Sequence, residues 1–152
     1  MRRHNIWVAL AFLLSLQACV HIRLDSQLPP IDRMIARSLS DEVVKGLKYK
    51  RSDIVYDKME NAFRSATSLS DFEIIFNQLL DRFGVPLNCE YSREEETVKS
   101  YPSGEVKRLL KLYYDVETTK YPKGSYYLSI DVVPEGDGLA VTGVYFGRPL
   151  FH

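Results

Sequence analysis

The sequence predicts an α+β fold in which N-terminal helices pack on one face of a curled antiparallel sheet. Three observations predict it. Apolar residues recur at helical spacing between Ile31 and Phe83. After Pro86 the period of the pattern becomes two. The turn signals "YPSGE", "TKYPKG" and "PEGDG" then separate the alternating runs, and short connections of this kind join antiparallel neighbours. Helices first and strands after is the order of a domain whose helices are segregated to one face of its sheet. A chain of 152 residues suffices for one such domain.

The first helix is expected from Ile31 to about Tyr49, with Ile31, Met34, Ile35, Leu39, Val43, Val44 and Leu47 on its apolar side. Ser52 is a plausible N-cap for a second helix, "DIVYDKMENAFRSA", with Val55, Met59 and Phe63 on one face. In the third, "SDFE" (Ser70 to Glu73) reads as a capping box. Phe72, Ile75, Phe76, Leu79, Leu80 and Phe83 follow on one stripe, and Gly84 and Pro86 stop the helix. Four strands are expected at 88–101, 105–119, 125–133 and 139–147. Alternation turns Leu110, Leu112, Tyr114 and Val116 inward on the second, and Tyr126, Leu128, Ile130 and Val132 inward on the third. The first strand is polar. Its run "REEE" (Arg93 to Glu96) reads as a solvated face, and its charges suit an edge strand.

The residues ahead of the domain read as an export signal. "MRRHN" is a basic start, and "IWVALAFLLSL" is an apolar stretch far short of the about 20 residues a membrane helix needs. "LQAC", Leu16 to Cys19, resembles the lipobox of bacterial lipoproteins. The resemblance implies cleavage after Ala18 and lipidation of Cys19, with outer-membrane placement facing the periplasm because Val20 is not the retention aspartate. Acyl chains on one residue give stable anchoring when there are two or more. The division expected is therefore 1–18 as signal peptide, 19–30 as lipidated cysteine and tether, and 31–152 as a single domain. The alternative is plain secretion, in which Cys19 is an ordinary residue free to join Cys89 in a disulfide.

The order of elements resembles the nuclear-transport-factor-two-like, or cystatin-like, cone superfamily. The residues that carry it are "FRSATSLSDFEIIFNQLLDRFGVP" before the strands and the closing "LAVTGVYF". They look like exported bacterial cone domains without an assigned activity, so the resemblance implies a cone-like fold and no particular chemistry.

Composition excludes several functions. Twenty basic and twenty acidic residues cancel, and loss of the signal removes Arg2 and Arg3, so no positive face for nucleic acid is expected. His4, His21 and His152 all lie outside the expected core, which leaves no base for a serine or cysteine nucleophile. No metal-ligand spacing and no phosphate loop occur, and no cofactor is expected.

What remains is a carboxylate and tyrosine set. In cone-fold isomerases of the ketosteroid-isomerase type, an Asp base works beside Tyr donors. Asp131, with Tyr56, Tyr114, Tyr126 and Tyr145, is the candidate here. Alternation puts Asp131 opposite Ile130 and Val132, on the face turned to solvent, where it reads as a solvated side chain. Asp115 and Glu117 read the same way. Tyr113, Tyr127 and Leu109 would decorate that outer face, either as an interface for a partner or second copy or as scattered surface residues. The leading expectation is thus a lipid-anchored periplasmic protein whose domain binds an envelope protein or itself. The alternatives are a small-pocket isomerase, dehydratase or ligand carrier, or an inhibitor or immunity-type lipoprotein.

Overall fold

The computed structural model describes residues 28–149, and Ile31 onwards forms one unit. Four helices precede four strands: α1 (Arg33–Lys48), α2 (Ser52–Lys58), α3 (Asn61–Ala66), α4 (Leu69–Phe83), β1 (Pro86–Ser100), β2 (Val106–Thr118), β3 (Tyr126–Glu135) and β4 (Gly138–Gly147). The sheet is an antiparallel meander in the order β1-β2-β3-β4. The expected α+β class is what the chain adopts. The proposed signal, Ala18, Cys19 and most of the tether lie outside the described residues.

Asp32 caps α1, its carboxylate accepting from the amides of Met34 and Ile35 at 2.9 and 3.1 Å. The buried stripe of α1 is Ala36, Ser40, Val43, Gly46 and Leu47. Met34 (82% exposed) and Ile35, expected inside, face out. Small residues won because α1 lies close against the sheet, near enough for the Tyr114 hydroxyl to reach Ser40 Oγ at 2.8 Å. Gly46 lets α2 come equally close: a Cβ there would meet Val55 Cγ2 of α2 at 2.6 Å.

The expected second helix is two. It breaks at Met59 and Glu60, where Met59 bridges Val141 and the Glu60 amide donates to the Val141 carbonyl at 2.8 Å. Nor is the cap of α4 the expected one. Ser68, not Ser70, is the N-cap, accepting from the Asp71 amide at 3.1 Å. Gly84 ends α4 with φ +84°, where a Cβ would meet the Lys120 nitrogen and two threonine hydroxyls at 2.9 Å.

The helix-facing side of the sheet is as expected. Leu110, Leu112, Tyr114, Val116, Leu128, Ile130 and Val132 are buried in one cluster with Val43, Leu47, Val55, Phe72, Phe76 and Leu80. The opposite side departs from expectation, because Leu109, Tyr113, Ser129, Asp131, Val133 and Ala140 are buried as well. Curling explains it. A flat sheet would hold β1 and β4 about 14 Å apart, at about 4.8 Å per strand. Here Lys99 at the end of β1 donates to the Thr142 hydroxyl on β4. The edge strands have been brought towards one another across that face, and a bulge between Asp131 and Val132 in the β3–β4 pairing accompanies the bend.

Candidate functional site

Two places in the domain concentrate chemistry. The first is an apolar cleft of about 420 Å³ between α4, the short helices and β4. Its inner lining is core: Leu47, Val55, Met59, Phe72 and Phe76. Ile75, Gln78, Arg82 and Tyr145 line its exposed side. This mouth follows from the local sequence. Ile75, Gln78, Leu79 and Arg82 recur at helical spacing on α4, on a stripe rotated from the buried Phe72, Phe76 and Leu80. Ile75, expected in the core, is therefore half-exposed. No Asp, Glu, His or Cys lines the cleft. Its volume falls in the range of roughly 300–1,000 Å³ usual for ligand pockets.

The second is a charged cluster on the face away from the helices. Glu60, at the break between α2 and α3, is buried. It accepts from the Tyr101 hydroxyl at 2.7 Å, the Thr142 hydroxyl at 2.8 Å and Lys99 Nζ at 3.2 Å. Burial pushes its carboxyl up, but those three donors outweigh burial and hold it below the usual glutamate value. For Tyr101, burial and then the bond to Glu60 raise the phenol well above its ordinary value.

Asp131 belongs to this same face, and it overturns the reading of a solvated side chain. It is 6% exposed. Lys111 Nζ lies 3.8 Å from its Oδ2, while its buried Oδ1 accepts nothing among the described residues. Burial raises its carboxyl, and the lysines oppose that. Curling of the sheet, invisible to simple alternation, is the cause. Asp131 does not line the apolar cleft.

The tyrosines divide. Tyr114 is buried, its hydroxyl at 2.8 Å from Ser40 Oγ and 3.2 Å from Asp41 Oδ1, with its phenol raised by burial. Tyr56 donates to the Thr67 carbonyl at 2.7 Å, closing α3 onto α2. Tyr126 packs edge-on to Phe83 at 5.3 Å. Tyr145, 52% exposed, does not point inward; its ring lies over Gly143 beside the cleft. Asp131 is thus not gathered with the four tyrosines into one pocket. Asp115 and Glu117 face solvent as expected.

Of the outer-face trio, Leu109 and Tyr113 are buried rather than displayed. Tyr113 packs against Tyr127 at 5.4 Å, lies 3.8 Å beneath the Arg93 guanidinium and donates to Glu95 at 3.1 Å. Tyr127 is half-buried, its ring covering Gly147 on the paired strand.

The "REEE" run is divided by the pleat. Glu94 and Glu96 pair with Arg33 of α1, and Glu96 also with Arg108, while Glu95 faces Tyr113. Cys89 is a half-buried free thiol whose pKa burial lifts to about 11, which leaves it little thiolate at neutral pH. Among the described residues no group of three or more His, Cys, Asp or Glu is gathered as a metal site, and no helix is long and apolar enough to cross a membrane.

Sequence reasoning missed Glu60 and the mouth of the cleft. Glu60 sits in a stretch that reads as continuous helix, so its charge looked like ordinary helix polarity. The spacing of Gln78 and Arg82 with Ile75 was legible, but not that a cavity lies beneath them. No family model and no curated protein sequence matches this chain.

Proposed function

We propose that this protein is a lipid-anchored envelope protein, held through Cys19 and facing the periplasm, whose domain binds a ligand or partner without transforming it. The anchor rests on the "LQAC" motif behind its basic and apolar leader. The binding half rests on one observation: the apolar cleft between α4 and β4 has the size of a ligand pocket and no acid–base pair in its lining. General acid–base chemistry needs a matched acid and base within reach of the substrate. The lining offers the Tyr145 phenol but no carboxylate, histidine or thiol to pair with it, and the carboxylates of the charged cluster lie outside that lining.

Native mass spectrometry of the full-length chain extracted in mild detergent tests both halves. The expected result is a chain beginning at Cys19 with added acyl mass, carrying a bound molecule or partner that survives gentle ionisation. An unacylated chain that begins elsewhere ends the anchor proposal, and a lipidated chain that never retains a ligand or partner ends the binding one.

A second reading is an isomerase-type enzyme, favoured by Asp131 alone: it is buried, held towards its protonated form, and has one oxygen without a donor. Under that reading Asp131→Ala abolishes turnover while leaving ligand retention intact. Under the first it leaves retention unchanged and there is no turnover to lose.

A further inference from the structure

We infer that the cleft between α4 and β4 takes an anionic amphiphile, a single alkyl chain ending in a carboxylate, with the chain inside and the headgroup at Arg82. This rests on the binding reading above and names its ligand class. The interior offers only hydrocarbon and aromatic surface deep down: Leu47, Val55, Met59, Phe63, Phe72 and Phe76. Such a lining rewards an apolar chain and offers a polar body no hydrogen bonds. The three phenylalanines pack together, Phe72 edge-to-face with Phe63 at 5.8 Å and tilted against Phe76 at 6.0 Å, so the walls are rings already packed in place.

Charge then selects the headgroup. Arg82 is the one charged side chain in the lining. Its guanidinium lies 5.2 Å from the Phe83 ring and forms no ion pair among the described residues. A planar guanidinium with unspent donors matches a carboxylate in a two-pronged arrangement. Gln78, one turn earlier on α4, adds an amide at the same rim. The Thr142 hydroxyl is committed to Glu60 and Lys99, which leaves Arg82 and Gln78 on α4, with the Tyr145 phenol across the mouth on β4, to fix the polar end. A cationic headgroup meets the Arg82 charge, and no acid in the lining compensates it.

The test is photo-crosslinking of the detergent-solubilised full-length chain with a diazirine-bearing decanoate, against the matching decyltrimethylammonium probe. The expected result is decanoate labelling at cleft residues such as Phe63, Ile75 and Leu79, displaced by unlabelled decanoate, and about tenfold stronger than labelling by the cationic probe. Arg82→Gln, at an exposed position, should erase that preference while the alkyl chain still labels the same residues. Leu79→Trp should block both probes, with circular dichroism reporting whether the variant remains folded. Labelling confined to other parts of the chain overturns the site, and equal labelling by the two headgroups, or a preference that survives Arg82→Gln, overturns the headgroup assignment. If native mass spectrometry meanwhile retains a protein partner or another ligand, the binding reading stands and only this inference falls.

Discussion

Asp131 and Glu60 are both buried carboxylates on one face of the sheet, yet their surroundings give them opposite effects on stability. Glu60 is surrounded by donors, so its folded pKa lies below its unfolded value. Its contribution is present above the ordinary glutamate range and is lost as pH falls through the depressed value. Glu60→Gln should therefore lower stability at neutral pH by about 2 kcal/mol, since it strips a charged acceptor from three buried or half-buried donors. Urea melts at pH 7 and pH 3 check it: the variant's deficit should shrink at pH 3. Asp131 has the reverse sign. Its folded pKa is raised by burial, so the cost of ionising it is absent below the unfolded value and grows as pH rises through the folded one. Asp131→Asn should gain about 1 kcal/mol at neutral pH, because a neutral amide replaces a desolvated charge whose nearest lysine stands 3.8 Å away. A variant less stable than the parent at pH 7 would show that the Lys111 pairing outweighs desolvation. Sequence alternation located Asp131 on the correct side of β3 but not its burial, because alternation reports which way a side chain points and not what curls over it.

At the level of elements, the misplaced helix cap shows where local reading stops. "SLSDFE" holds two serines, and each has an acid three residues on: Asp71 after Ser68 and Glu73 after Ser70. Both pairs fit the pattern of a capping box, and local chemistry alone does not separate them. The structure chooses Ser68, at the head of a helix that buries Phe72, Phe76 and Leu80. Ser68→Ala should cost about 1 kcal/mol, and Ser70→Ala, inside the first turn, only a few tenths. Equal losses in thermal melts of the two variants would contradict the observed cap. The apolar stripe of α1 was misread for a related reason. Counting large apolar residues selects Met34 and Ile35, while close packing against the sheet selects Ala36 and Ser40. By contrast, the inward positions of β2 and β3 were legible, since they carry large branched or aromatic side chains, while the burial of their outward residues Leu109, Tyr113, Ser129 and Asp131 was not. The cleft was the least legible part. It arises where α4 and the edge strand β4 fail to close on one another, and no short stretch of sequence records a gap between distant elements.

At the scale of the whole molecule, the side-chain tie across the sheet's curl among the described residues centres on Glu60. Glu60 connects the α2–α3 junction to β1 through Tyr101 and Lys99, and to β4 through Thr142 and the Val141 carbonyl. The meander itself supplies only neighbour pairings, β1 with β2, β2 with β3 and β3 with β4. What holds the first and last strands together is therefore this cluster and not a ladder of backbone bonds. Helix α3 beside it buries no residue and gets no cap from its own Glu60 side chain, its first amide donating instead to the Glu135 carboxylate at 2.7 Å. Hydrogen exchange should follow this distribution. The amides of α3 should exchange at least about a hundredfold faster than those in the middle of β2 and β3, which are paired on both sides. In Glu60→Gln the increase should be confined to the tie: the Tyr101 amide that donates to Glu105, the Glu60-position amide that donates to Val141, and their neighbours in β1 and β4. The interior of β2 and β3 should keep its protection, because its hydrogen bonds and its packing on α1 do not depend on the curl being closed. A uniform rise across all four strands would mean that closure and global folding are one event, and that the charged face is part of the core's cooperative unit and not a clasp upon it.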